Sequence, residues 1–153
     1  LLLLDEPTAG VDPKARREFW DIIHELAQGG ITVLVSTHYM DEAERCRELI
    51  YIAYGKILAR GTQSDIIASY DLNVWELSGD RAGEVASLLA SNSALSVSAF
   101  GNSYHVTAKD ATALQEAVRG LAIPRDELSL IPIKASLEDV FIHLLELHKD
   151  ERF

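Results

Sequence analysis

Two adjacent carboxylates, Asp5 and Glu6, close the apolar run Leu1-Leu2-Leu3-Leu4, and a third, Asp12, follows in Gly10-Val11-Asp12. A second apolar run ends in Ser36-Thr37-His38. Apolar strands that terminate in acids and hydroxyls are what a buried parallel strand looks like where it meets a phosphate and metal site. The chemistry such a set can perform is phosphoryl transfer, which asks a protein for positioning and electrostatics more than for covalent work. Asp5, at the strand end, offers the hard oxygen that Mg2+ takes directly or through water. Glu6, one residue on, projects the other way and can orient and polarise an attacking water.

Strand, helix and strand are the elements that must place these groups. Asp12 is a helix N-cap with Pro13 at the first helical position. Ala15, Phe19, Ile22, Ile23 and Leu26 then recur at helical spacing, and Gly29-Gly30 end the helix. Ile31 to Ser36 reads as a second continuous apolar strand, so the three elements form a right-handed parallel unit whose strands end at one sheet edge. A short helix over Met40 to Arg47, with acidic residues in its first turn, comes next. Leu49 to Tyr54 and Ile57 to Arg60 flank Gly55-Lys56 as a hairpin, and Thr62 caps a helix to about Ser69.

The order of these parts resembles the second half of an ABC-type ATPase: Walker B at Leu1 to Glu6, the D-loop at Ala9 to Asp12, and the switch histidine at His38. Arg60-Gly61-Thr62 followed by an acidic helix resembles the usual end of that nucleotide-binding domain. The resemblance implies ATP and Mg2+ as ligands. Asp5 would hold the metal, Glu6 would be the catalytic carboxylate, and His38 would contact the γ phosphate and sense its presence. It implies that Asp12 communicates across a nucleotide-sandwich dimer, and that the partners are a second copy of the ATPase and a membrane permease. It also implies a place at the cytoplasmic face of the membrane, held there through the permease.

No G-x-x-x-x-G-K-S/T occurs in the chain; its one Gly-Lys pair, Gly55-Lys56, lacks the earlier glycine and reads as a hairpin turn. Leu77-Ser78-Gly79-Asp80 is a fragment of an L-S-G-G-Q signature, but it falls after the Walker B strand and lacks the second glycine and the glutamine. It is read as coincidence. These features, with a first residue that is not Met, predict the C-terminal part of a longer polypeptide. A P-loop supplies most phosphate-binding donors, so these residues by themselves are expected to bind ATP weakly or not at all. The absent half would also cover one face of the two strands, which predicts self-association of the piece.

Composition bounds the partners. Residues 1–69 hold 7 Lys and Arg against 11 Asp and Glu, and residues 70–153 hold 7 against 13, within a net charge of −10. With no basic stripe to neutralise phosphates, nucleic acid is excluded as an expected partner. No apolar run approaches the roughly 20 residues of a membrane span. The single Cys46 allows no internal disulfide and, beside Arg45 and Arg47, reads as structural. His24, His105, His143 and His148 are scattered, and the last two fall off one helical face, so they form no expected metal set. Trp20 and Trp75 are assigned to packing, and Thr8 and Ser36 to phosphate contacts or turn hydrogen bonds alike.

Beyond a boundary near Tyr70-Asp71 the pattern changes. Strand (Leu72 to Leu77), helix (Arg81 to Ala90), strand (Leu95 to Ala99), turn (Phe100-Gly101-Asn102), strand (Ser103 to Thr107), helix (Asp110 to Leu121) and strand (Leu128 to Lys134) give βαββαβ. A last helix starts at Ser136 with Asp139 in the capping-box position and buries Leu137, Val140, Phe141, Leu144 and Leu145. The ending Ser136 to Phe141 resembles the tail of ABC ATPase subunits of the multidrug and antibiotic export group. The expected fold is therefore α/β. Residues 1–69 are the C-terminal half of a P-loop, ABC-type nucleotide-binding domain; residues 70–153 are a small α+β, ferredoxin-like accessory domain. The expected function is the ATP-hydrolysing subunit of an ABC exporter. The alternatives are an ABC ATPase without a permease and a regulatory or ligand-binding role for the second domain.

Overall fold

The computed structural model describes residues 1–119 and 128–148. They form a mixed α/β chain that divides into two compact units, Leu1–Cys46 and Arg47–Phe153. The hairpin and helix expected to close the first segment thus pack with the second.

In the first unit β1 (Leu2–Asp5) runs parallel to β2 (Val33–Ser36), joined by α1 (Pro13–Gln28). The register sets Leu2 against Val33 and Asp5 against Ser36, so both strands deliver their polar ends to the same edge. Burial along the strands alternates instead of being continuous: Leu2, Leu4, Val33 and Val35 are half-buried, whereas Leu3 and Leu34 are paired and exposed. Only one face of this two-stranded ribbon is covered in the described chain, and period-two burial follows. The buried stripe of α1 is Trp20 and Ile23, and Ile22, expected inside, is exposed. Asp12 caps α1 by accepting from the backbone N–H groups of Lys14 and Ala15 at 3.0 and 3.1 Å, satisfying donors that a helix start leaves unpaired. Helix α2 covers only Met40–Ala43 of the expected Met40 to Arg47. Arg45 and Cys46 donate to the carbonyls three residues back, of Glu42 and Ala43, and these tighter bonds unwind the α-helix.

In the second unit β3 (Leu49–Ala53) and β4 (Lys56–Gly61) form an antiparallel hairpin. Tyr54 and Gly55 turn it with φ of 53° and 71°, the left-handed pair that a two-residue hairpin loop requires. α3 (Gln63–Tyr70) is capped by Thr62, whose hydroxyl accepts from Asp65 N–H at 3.2 Å. A four-stranded antiparallel sheet follows, ordered β6-β7-β5-β8, from β5 (Asn73–Ser78), β6 (Ser96–Phe100), β7 (Ser103–Ala108) and β8 (Ser129–Ile133). Between them lie α4 (Ala82–Leu89) and α5 (Ala111–Arg119). The end of the expected second helix, Gly120 and Leu121, and residues 122–127 lie outside the described residues, as do residues 149–153.

One face of the sheet carries Leu77 and Val106, which pack with Val85, Ala86 and Leu89 of α4 and Leu114 of α5. By alternation Val74, His105 and Thr107 occupy the other face. There α6 (Leu137–Leu147) is tied on: Asp139 Oδ1 lies 2.8 Å from His105 Nδ1, and Phe141 stacks on Tyr51 with centroids 4.0 Å apart. The start of α6 is a full capping box, Ser136 Oγ accepting from Asp139 N–H and Asp139 accepting from Ser136 N–H.

Candidate functional site

The three expected residues Asp5, Glu6 and His38 meet at the edge where β1 and β2 end. Ser36, the register partner of Asp5, donates its hydroxyl to Asp5 Oδ1. The backbone N–H of Glu6 donates to the carbonyl and to the hydroxyl of Ser36, each at 3.1 Å. Glu6 is thereby fastened to β2 with φ at 43°, a left-handed conformation unusual for a glutamate, which lifts its side chain off the strand path. Its carboxylate Oε1 sits 3.2 Å from His38 Nδ1, both side chains about half exposed (52% and 57%), so the pair is open to a ligand from solvent. A recess of about 220 Å³ beside it is lined by Leu3, Leu4, Asp5, Leu34 and Ser36.

Asp12 is placed differently. Its side chain is engaged by the first turn of α1, and its contacts are those of an N-cap.

The donor set fits a hard divalent cation that also takes ligands from elsewhere. Asp5 Oδ1 already accepts from Ser36, which leaves Oδ2 and the serine hydroxyl oxygen for a metal. Among the described residues no group of three or more His, Cys, Asp or Glu could hold a metal unaided. Mg2+ takes one or two protein oxygens and completes its octahedron with water and substrate phosphate, and the oxygens of Asp5 and Ser36 are of that kind.

Beneath this edge lies an acid with no expected role. Glu42 is fully buried (0% exposed), accepts the Thr8 hydroxyl on Oε1 and accepts Thr37 Oγ1 on Oε2 at 2.7 Å. Arg16 Nε approaches Oε1 at 3.4 Å as an ion pair without forming a hydrogen bond. Burial pushes the Glu42 carboxyl up, but the Thr8 and Thr37 hydroxyls, the nearby Trp20 indole and the Arg16 charge outweigh it and hold it below the ordinary carboxylate range. The indole N–H helps as a nearby dipole, since its geometry makes no hydrogen bond. The legible signal was an acidic residue on a helix four positions after His38; it reads as helix-dipole complementation until the fold shows it inside. Burial and the Glu42 charge together raise the Cys46 thiol, which makes it a poor nucleophile and agrees with its structural reading.

Comparison with known proteins places this edge in a family context. Residues 1–40 match the model of an AAA domain described as a putative AbiEii toxin of a type IV toxin–antitoxin system. The Nod factor export ATP-binding protein I of Ralstonia nicotianae is 37% identical over 150 residues, 94% of this chain and 46% of its own length. The probable multidrug ABC transporter ATP-binding protein YbhF of Escherichia coli is 52% identical over 68 residues, 44% of this chain and 12% of its own. The chain's homologues are ABC transporter ATP-binding proteins. A third of these ABC relatives, the daunorubicin/doxorubicin resistance protein DrrA of Streptomyces peucetius, is 44% identical over 78 residues, half of this chain and 24% of its own. The chain spans less than half the length of each of these ABC proteins.

Proposed function

We propose that the chain belongs to the ATP-hydrolysing subunit of an ABC-type exporter, which couples ATP hydrolysis to transport through a membrane permease. The observation that carries this reading is the meeting of Asp5, Glu6 and His38 at one strand edge, with His38 Nδ1 3.2 Å from Glu6 Oε1. Exporter ATPases among the relatives, several of them matched along nearly the whole chain, support it.

In this reading Asp5 and the Ser36 hydroxyl would hold Mg2+, which would supply charge neutralisation for the nucleotide phosphates. Glu6, displaced from the strand by its left-handed backbone, orients a water and takes up its proton. His38, on the neighbouring strand end, contacts the γ phosphate through the ring that otherwise faces Glu6. Asp12 holds the α1 start so that the loop before it can meet a second copy across a shared nucleotide. The 153 residues alone contain no G-x-x-x-x-G-K-S/T and would turn ATP over only within a chain that supplies one. The permease would place the protein at the cytoplasmic membrane face; among the described residues no helix is long and apolar enough to cross a membrane. Residues 1–69 would serve as the C-terminal portion of the nucleotide-binding domain. Residues 70–153 would be a ferredoxin-like accessory domain, a reading supported by the β6-β7-β5-β8 order and the antiparallel pairing of every neighbour.

Glu6→Gln in the full-length protein tests the role assignment. The expected result is loss of turnover with nucleotide binding retained. Loss of binding together with turnover would assign Glu6 a different part.

A further inference from the structure

Thr8 lies two residues beyond Glu6 on the loop leaving β1, and Thr37 directly precedes His38 on the loop leaving β2. Both hydroxyls converge on one carboxylate, that of Glu42. A second route leads from Glu42 to the same histidine. Arg16, 3.4 Å from Glu42 Oε1, lays its guanidinium over the Tyr39 ring at 4.3 Å, and Tyr39 packs against the His38 ring with centroids 4.1 Å apart. Tyr39 N–H also donates to Thr37 Oγ1 at 3.1 Å, so hydroxyl and ring belong to one assembly.

We propose that Glu42 is a positioning residue for the nucleotide site: a buried anion that clamps the Glu6 loop to the His38 loop and backs the histidine ring through Arg16 and Tyr39. The inference rests on the ATPase reading above. A carboxylate is suited to the task because its two oxygens each take a hydroxyl from a different loop while its charge fixes Arg16. Buried acids without partners are rare, and here each partner is a neighbour of the proposed chemistry. Both loops lack regular secondary structure between Glu6 and Asp12 and at Thr37 and His38. Their relative placement therefore depends on side-chain ties of this kind.

The test is steady-state ATPase kinetics and nucleotide binding of the full-length protein with Glu42→Gln and, separately, Thr37→Val. Glu42→Gln keeps shape and removes the charge; Thr37→Val keeps shape and removes the hydroxyl that joins the His38 loop. Because small misplacement of reacting groups costs rate far more than ground-state binding, kcat should fall on the order of tenfold to a hundredfold in each. The KM and the nucleotide Kd should move by less than about threefold, the signature of lost transition-state positioning. The double variant should fall little further than the deeper single one, since both cut the same tie. Thr37→Val carries the test if Glu42→Gln does not fold. An unchanged kcat in folded Thr37→Val, or equal losses in binding and turnover, would overturn the proposal. Glu6→Gln run in parallel separates the two claims. If the unsubstituted full-length protein turns over no ATP, the ATPase reading fails and this inference with it; if it turns ATP over and Glu6→Gln abolishes that while the Glu42 and Thr37 variants keep theirs, only the positioning role fails.

Discussion

Asp139→Ala should unlatch α6 from the sheet of the second unit. The Asp139 carboxylate, only 1% exposed, takes three contacts. Oδ2 accepts from Ser136 N–H at 2.7 Å and from Ser136 Oγ at 2.6 Å, and Oδ1 lies 2.8 Å from His105 Nδ1. The His105 ring nitrogen can donate whether the ring is neutral or charged, and the ring is stacked on Phe100 with centroids 3.7 Å apart. Loss of the capping half costs about 1 kcal/mol. Loss of a hydrogen bond to a buried charged group costs about 1.5–3 kcal/mol more. The sum is about 2.5–4 kcal/mol, against about 1 kcal/mol for Ser136→Ala, which spares the His105 contact. Native-state hydrogen exchange of the Trp75 and Val106 amides, in the central strands β5 and β7, reads the unit's opening free energy directly. His105→Ala combined with Asp139→Ala should show a coupling of about 0.5–3 kcal/mol. If Asp139→Ala costs no more than Ser136→Ala and couples to nothing at His105, the latch is not what holds α6.

Leu77→Ala, at a fully buried position facing α4 and α5, should cost about 2–5 kcal/mol in the same exchange assay, whereas the 50%-exposed Leu88→Ala should cost far less. The Glu42 carboxyl is held below its unfolded value, so its contribution to stability is present above that unfolded value and is lost as pH falls through the folded one. Trp20 fluorescence followed from about pH 6 to about pH 3 should report loosening of the first unit. Glu42→Gln should flatten that acid dependence.

Periodicity and capping chemistry made much of this legible. The Asp12-Pro13 start and the Gly29-Gly30 stop follow from local rules, and Ser136-x-x-Asp139 announced its capping box. The Tyr54-Gly55 turn fell one residue before the expected Gly55-Lys56, because it is the pair of left-handed residues that makes the hairpin and not the Gly-Lys dipeptide. What could not be read were the partners of polar residues that fold inward. Glu42 and Arg16 look like solvated helix residues, and Asp139 looks like a cap and nothing more, until the tertiary fold brings Thr8, Thr37 and His105 to them. Packing between distant segments is likewise set by the fold: β3, β4 and α3 group with the sheet that follows, since α3 packs on α6 far along the chain. Helix α2 was overestimated because an acidic, apolar-spaced stretch satisfies helix rules that its three-residue-back hydrogen bonds then break.

In the proposed ATPase one strand edge gathers a magnesium nucleotide. A structure of the full-length protein carrying Glu6→Gln, grown with Mg–ATP, tests that most directly. It should show Asp5 bound to the metal directly or through one water and His38 within hydrogen-bond distance of the γ phosphate. A nucleotide bound elsewhere, with Asp5 and His38 both free of metal and phosphate, would contradict it.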